Sequence, residues 1–183
     1  MPDQVGLVLA AGGGARFGGP KALARTTAGT PWLHRAVGVL TAAGCDAVVV
    51  VLGAEADAAR PLVPAGATTV VADRWREGMG ASLAAGVAAL PEADAALVTL
   101  VDLPDLPRAV ADRVLEQGTG RDVLARAVYD GAPGHPVLLG RDHWAAFRDA
   151  LHGDAGGRTY LEEHDVRRVE CGDLFSGRDV DAR

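Results

Sequence analysis

The chain has 183 residues and a formal net charge of −6, and its residues are 49% hydrophobic but only 4% aromatic. This length favours one domain with its own core, and we treat residues 1–183 as a single domain. The negative charge argues against a nucleic-acid polymer or an anionic membrane as the main partner, whereas a phosphorylated small molecule needs only a few local cations.

The cysteine content and the start of the chain indicate the compartment. Cys45 and Cys171 are the only cysteines, and no His/Cys cluster accompanies them, which argues against a structural zinc site. The first apolar run is too short for a signal peptide, and no apolar stretch approaches the length that spans a membrane. We therefore expect a cytoplasmic protein.

Short apolar runs alternate with segments of helical periodicity along the chain. The runs predict strands at residues 5–10, 47–52, 68–71, 95–100, 123–128, 136–139 and, more weakly, 166–169. The segments between them predict helices at residues 32–43, 55–62, 82–90, 107–117 and 143–151, with Gly44 and Gly118 placed to end two of them. This alternation is typical of an α/β fold, a three-layer α/β/α sandwich around a mostly parallel, Rossmann-like sheet.

The segment after the first strand is rich in glycine. Ligands of such sheets bind at the carboxyl ends of the strands, and glycine amides in that position can form a cradle for phosphates. A flexible loop with two solvated cations is the alternative interpretation. The predicted nucleotide-binding residues here are Leu9, Ala10, Ala11, Gly12, Gly13, Gly14, Arg16 and Lys21.

Two common phosphate-loop motifs do not fit this segment. The dinucleotide pattern G-x-G-x-x-G/A fails at Phe17 when it starts at Gly12, and at Ala15 when it starts at Gly13. A Walker P-loop fails because Lys21 is not followed by Ser or Thr. Since Glu55 follows the second strand, where a ribose-binding acid would lie, an NAD(P)-dependent oxidoreductase stays open as an alternative.

Polar residues after later strands extend the candidate site. Asp102 follows the predicted strand at 95–100, so its carboxylate should emerge at the same edge as the glycine loop and could hold Mg²⁺, although a turn aspartate is the alternative. Ser82 is either a nucleotide contact or the N-cap of the helix predicted there. Gly53 follows the second strand and could line the base pocket through its backbone.

Six segments together resemble the MobA-like nucleotidyltransferases. The loop is similar to the pattern L-A-(A/G)-G-x-x-x-R-(M/F)-G-x-x-K, and its Ala10-Ala11 pair is closer to the molybdenum cofactor cytidylyltransferases than to the guanylyl branch. The other five similar segments follow in the family's order at residues 75–83, 101–104, 134–138, 153–158 and 179–181.

The resemblance implies a nucleotide-diphospho-sugar transferase type of fold and a Mg²⁺-dependent transfer of CMP from CTP, with release of pyrophosphate. The implied acceptor is phosphorylated, with molybdopterin, the molybdenum cofactor, as the first expectation, and a molybdoenzyme or a cofactor-insertion protein is the implied partner. Arg16, Lys21 and Asp102 would be catalytic, Asp102 and Asp181 (or Asp179) would hold the metal, and His135 and Arg158 would bind the acceptor.

The acceptor-binding role of His135 and Arg158 has an alternative for each residue. His135 could be a turn histidine that the backbone satisfies, and Arg158 could form a surface salt bridge. Val101 and Leu103 replace the Gly and Gln that flank the metal aspartate in the family pattern. These departures leave open a non-catalytic nucleotide-binding or regulatory module.

Overall fold

The computed structural model describes residues 3–118 and 120–181. Within them, seven strands form one sheet in the order β3-β2-β1-β4-β6-β5-β7. Four of the six strand pairings are parallel, and β6 runs antiparallel to both of its neighbours. The mostly parallel sheet is confirmed. The strands are β1 Gln4–Ala10, β2 Val48–Leu52, β3 Thr68–Val71, β4 Ala95–Leu100, β5 Leu124–Tyr129, β6 Ala132–Gly140 and β7 Arg167–Glu170.

Helices cover both faces of the sheet. The same described residues form six α-helices: α1 Trp32–Ala42, α2 Ala56–Ala59, α3 Met79–Ala88, α4 Arg108–Leu115, α5 Trp144–Asp149 and α6 Arg158–Glu163. One buried cluster joins the sheet to α1 and α4, and a second joins it to α3, α5 and α6. The predicted three-layer α/β/α sandwich is therefore confirmed. None of these helices has the length and apolar character that a membrane crossing needs.

Small residues let the helices lie close to the sheet. Every side chain of β2, Val-Val-Val-Val-Leu, is buried, as expected for an inner strand that is covered on both faces. A Cβ on Gly6 of β1 would lie 2.8 Å from Cδ1 of Leu40 in α1, and one on Gly86 of α3 would lie 2.7 Å from Cγ2 of Val51. A core that is poor in aromatic residues is thus filled by close approach of the backbones.

Gly44 and Gly118 have φ of +97° and +128° just beyond α1 and α4, which confirms their predicted places at the helix ends. Several predicted elements differ from the structure. Helix α3 begins at Met79 rather than at Ser82. The first turn was not predicted because Gly78 and Gly80 have low helix propensity. The 55–62 segment is a short α2 followed by a 3₁₀ turn containing Pro61. Helix α6 was not predicted, because Gly156 and Gly157 directly precede it and the segment resembles a glycine-flanked loop.

Candidate functional site

The carboxyl ends of β1 and β4 border a cleft of about 430 Å³. The two strands are parallel neighbours, and the amide of Val101 donates a hydrogen bond to the carbonyl of Leu9 (3.0 Å), which joins their ends. The site residues that the sequence predicts on the cleft wall are Leu9, Ala10, Ala11, Gly12, Gly13, Gly14, Arg16, Lys21, Ser82, Asp102 and Asp181. The topology thus brings most of the predicted site to one place.

The glycine loop folds back on itself at Gly14. The amides of Gly18 and Gly19 both donate to the carbonyl of Gly14, at 3.0 and 3.1 Å. Gly14 has φ of +61°, and a Cβ there would lie 1.9 Å from the carbonyl oxygen of Gly19, so only glycine fits. Among the described residues, the amides of 12–14 have no hydrogen-bond acceptor. They line the cleft and are available to an anion.

Trp75 packs against this loop and covers Gly53. A Cβ on Gly53 would lie 2.8 Å from Cβ of Trp75 and 2.6 Å from the carbonyl oxygen of Ala11, and one on Gly13 would lie 3.3 Å from the Trp75 ring. Gly53, predicted to line the base pocket, is not among the described residues that line the cleft. Its lack of a side chain lets the tryptophan and the loop approach each other. Trp75 itself lines the cleft.

Ser82 lies in the first turn of α3 rather than at its N-cap, because the helix begins at Met79. Its side chain is buried and lines the cleft together with Gly78 and Met79. The first turn of α3 therefore faces the cleft, where the positive end of the helix dipole favours an anion.

Lys21 joins two carboxylates that are far apart in the sequence. Its Nζ donates to Oδ2 of Asp102 and to Oδ1 of Asp181, both at 2.9 Å, and Nη2 of Arg16 lies 3.5 Å from the other oxygen of Asp181. The amide of Val180 donates to the carbonyl of Asp102 (3.0 Å), which docks the C-terminal segment onto the end of β4. The charged residues predicted for catalysis and metal binding converge here.

Three carboxylates in this cluster could hold a metal ion. Asp102, Asp179 and Asp181 each offer an oxygen, and these oxygens all lie within 4.8 Å of one another. Oδ1 of Asp102 is buried and has no hydrogen-bond partner among the described residues, so a cation would satisfy it. Since Mg²⁺ and similar ions commonly take one or two carboxylates plus phosphate oxygens, the residues present fit a divalent metal.

The pKa values in the cluster follow from burial and from Lys21. Burial raises the pKa of Asp102, although the hydrogen bond and charge of Lys21 oppose this effect. The hydrogen bond from Lys21 lowers the pKa of the more exposed Asp181. Burial acts to lower the pKa of Lys21 itself, but its hydrogen bonds to Asp181 and Asp102 outweigh burial and raise it. Lys21 is thus held as a cation between the carboxylates.

The two predicted acceptor residues line a second cavity, of about 100 Å³, which shares Leu9 and Met79 with the cleft. His135 lies inside β6, and Arg158 begins α6, where its Nε donates to Oε1 of Glu162 at 2.7 Å. The same cavity contains Arg126 of β5, which sequence reasoning missed. In the sequence, Arg126 stands out only as the one charged residue of an otherwise apolar strand.

The residue behind the oxidoreductase alternative lies elsewhere. Glu55 is exposed, has φ of +50°, and is not among the described residues that line the cleft.

The cleft defines a class of protein. It combines a glycine loop at the end of β1, a carboxylate at the end of β4 and a lysine between them, which is the arrangement of a nucleotide-binding α/β protein that acts on phosphates.

Comparison with known families identifies the group. The family described as the MobA-like NTP transferase domain matches residues 6–169. The chain therefore belongs to the MobA-like NTP transferase family, and it is a nucleotidyltransferase by that membership. The resemblance stated from the six segments is confirmed.

Relatives that match nearly the whole chain include an oxidoreductase and two structures of one mycobacterial protein. The chain is 34% identical over 193 aligned positions to nicotine blue oxidoreductase of Paenarthrobacter nicotinovorans, with 99% of this chain and 93% of the relative covered. It is similar to the structure of Rv0371c from Mycobacterium tuberculosis H37Rv, with a TM-score of 0.83, 29% identity, and 98% and 93% of the two chains covered. A structure of Rv0371c in complex with manganese has a TM-score of 0.76 at 27% identity, and 92% and 87% of the chains are covered.

Proposed function

We propose that this protein transfers CMP from CTP to a phosphorylated small-molecule acceptor, with Mg²⁺ as its metal and molybdopterin as the first acceptor to test. The observation that carries the proposal is Oδ1 of Asp102, which is buried, has no partner among the described residues, and lies beside Lys21 in the cleft that the glycine loop lines. The manganese complex of Rv0371c supports a divalent metal, and the Ala10-Ala11 pair supports CTP.

Each part of the cleft has a role in this reaction. The amides of 12–14 and the guanidinium of Arg16 would bind the triphosphate, and Lys21 would neutralise charge on it. Asp102 with Asp181 or Asp179 would hold Mg²⁺, which supplies charge neutralisation at the phosphates when bound. A phosphate monoester is largely ionised near neutral pH, since its second pKa is about 6, so the acceptor needs no general base. The work of the protein is alignment of two anions.

The free cysteines support a cytoplasmic location for the proposed enzyme. Cys45 and Cys171 are buried and unbridged, as is usual in the reducing cytoplasm. In the same proposal, a molybdoenzyme or a protein that inserts its cofactor would receive the product.

Pyrophosphate release tests the proposal. Purified protein with Mg²⁺ and molybdopterin should release pyrophosphate with CTP and more slowly with GTP or ATP. A nucleotide panel read by thermal unfolding should show stabilisation of about 2.7 kcal/mol by the correct nucleotide at 100 times its Kd. Stabilisation without pyrophosphate from any nucleotide would instead indicate a non-catalytic nucleotide-binding module.

An oxidoreductase is the second candidate function, because the chain is 34% identical to nicotine blue oxidoreductase over 99% of its length. That activity would require a nicotinamide cofactor or another electron donor in the cleft. Incubation with NADH or NADPH and a quinone-like dye, followed at 340 nm, tests this candidate. Consumption of the cofactor by wild-type protein, unchanged in Asp102→Asn, would favour the oxidoreductase over the transferase.

A further inference from the structure

The second cavity, between the sheet, α3 and α6, is rich in nitrogen donors. Arg126, His135 and Arg158 line it, and none of the described residues in its wall is acidic, although the whole chain has a net charge of −6. Its volume of about 100 Å³ exceeds the roughly 30 Å³ that a water molecule takes in the liquid. The cavity therefore offers a small group an electropositive, partly apolar environment.

Arg126 is the unusual member of this set. The residue is only 8% exposed, and its side chain has no hydrogen bond or ion pair with any residue that the structure describes. A guanidinium carries five N–H donors, and burying such a charge without a partner is strongly unfavourable. Glu162 attracts Arg126 electrostatically, but its carboxylate is bound by Arg158. The fold has thus placed an unsatisfied cation in a cavity.

The charged neighbours of Arg126 do not compensate its positive charge. Burial lowers the pKa of Arg126, Glu162 partly offsets this effect, and the charges of Arg158 and Arg168 lower the pKa further. His135 contributes no charge near neutral pH, because burial and Arg126 lower its pKa to about 4. Its neutral ring can still donate one N–H to an oxygen. A bound oxyanion would satisfy both groups at once, and the planar fork of arginine matches phosphate geometry.

We propose that this cavity binds a phosphate-type oxyanion of the acceptor, with Arg126 as its principal partner and with His135 and Arg158 beside it. In naming the acceptor as the source of the oxyanion, the inference rests on the proposed transferase function. The cavity and the cleft share Leu9 and Met79 in their walls, so the two sites are adjacent. Such an acceptor is a small anionic metabolite with one group at Arg126 and another near Lys21 and Asp102.

Binding of inorganic phosphate, followed by ¹H–¹⁵N NMR, tests this site without requiring turnover. The amides of Gly156 and Gly157 report on the cavity, and those of Gly12 and Gly13 report on the cleft. In wild-type protein both pairs should shift on titration. In Arg126→Met the cavity pair should respond at least tenfold more weakly while the cleft pair titrates as before.

Matched variants separate this role from a general effect of charge or folding. Arg148→Met removes an arginine from the nearby helix α5 that lines neither cavity nor cleft, and it should titrate like wild type. Arg126→Lys keeps the charge but loses the fork, so it should bind phosphate with intermediate affinity, and it serves as the test if Arg126→Met does not fold. Cavity amides that respond equally in wild type and both Arg126 variants would overturn the proposal.

Kinetics then separate this proposal from the proposed function. With an active transferase, Arg126→Met should raise the KM for the acceptor at least tenfold and leave the KM for CTP unchanged. A raised KM for CTP with an unchanged KM for the acceptor would overturn the role of Arg126. If phosphate binds at Arg126 but no nucleotide yields pyrophosphate, the anion site stands and the transferase assignment fails.

Discussion

The Nζ atom of Lys21 lies 2.9 Å from Oδ2 of Asp102 and leaves the other oxygen of that carboxylate buried and without a partner among the described residues. One oxygen is therefore fixed by a cation of the protein, and the other is free for a metal. The first prediction follows from these different roles of the two Asp102 oxygens.

Asp102→Asn should lower the transferase rate by on the order of 10²-fold or more, because the amide cannot replace a charged metal ligand. Lys21 keeps its bond to Asp181, so the far-UV circular dichroism should stay that of the wild type. Asp105→Asn is the matched control, since Asp105 is three residues further on and its side chain is 77% exposed. An equal loss of rate in both variants would contradict the metal role of Asp102.

Asp181→Asn should weaken Mn²⁺ binding by about tenfold, because one of three clustered carboxylates loses its charge. Free Mn²⁺ measured by electron paramagnetic resonance during a titration gives the Kd directly. Asp173→Asn alters an exposed carboxylate of the same C-terminal segment that pairs with Arg113, and its Kd should be that of the wild type. Identical affinities for the two variants would remove Asp181 from the site.

Gly14→Ala should lower the free energy of unfolding by about 1 kcal/mol or more, because alanine is strained at a positive φ. The added methyl would also meet the carbonyl of Gly19, so the loop must open and CTP binding should weaken. Gly12→Ala is the control for stability, since a Cβ there meets nothing within 4 Å. Urea denaturation of the two variants checks this difference, and equal midpoints would show that the loop conformation is not constrained.

His135 should make the protein less stable in acid. Its pKa falls from 6.5 to about 4 on folding, because of burial and the charge of Arg126. Above pH 6.5 the ring is neutral in both states, so this group causes no change of stability there. Below that pH the unfolded chain takes up a proton that the folded chain cannot, and roughly 3 kcal/mol of stability is lost by about pH 4.

Urea denaturation between pH 7 and 4.5 measures this effect. Because carboxylates titrate in the same range, the useful quantity is the difference in pH dependence between wild type and His135→Gln. The variant should lose less stability as the pH falls. Parallel curves for the two proteins would mean that His135 is as accessible to protons in the folded state as in the unfolded state.

Much of the fold was readable from the sequence, because it depends on local patterns. The run Val48–Leu52 is apolar at every position, which indicates a strand covered on both faces, and α1 and α4 show helical periodicity with glycine at their ends. The glycine loop was predictable for the same reason, since the glycines that mark it are close together in the sequence. Helix α6 follows Gly156 and Gly157, and the start of α3 contains Gly80, so these glycines interrupt the pattern there.

The site depended on contacts between distant parts of the chain. Lys21 and Asp181 are 160 positions apart, and no spacing rule predicts that they share a hydrogen bond. The antiparallel insertion of β6 between β4 and β5 brings His135 and Arg126 into one cavity. Trp75 covers Gly53 through packing that its sequence neighbours do not specify.

The sequence by itself predicted the seven strands, most of the helices, the glycine loop and the family, because periodicity, turn chemistry and short motifs act over a few residues. Only the tertiary structure decided which carboxylates meet Lys21, and that Arg126 is buried without a side-chain partner in the part of the chain that the structure describes. Burial and charge pairing are set by the packing of whole elements, and each depends on all the neighbours that folding brings together.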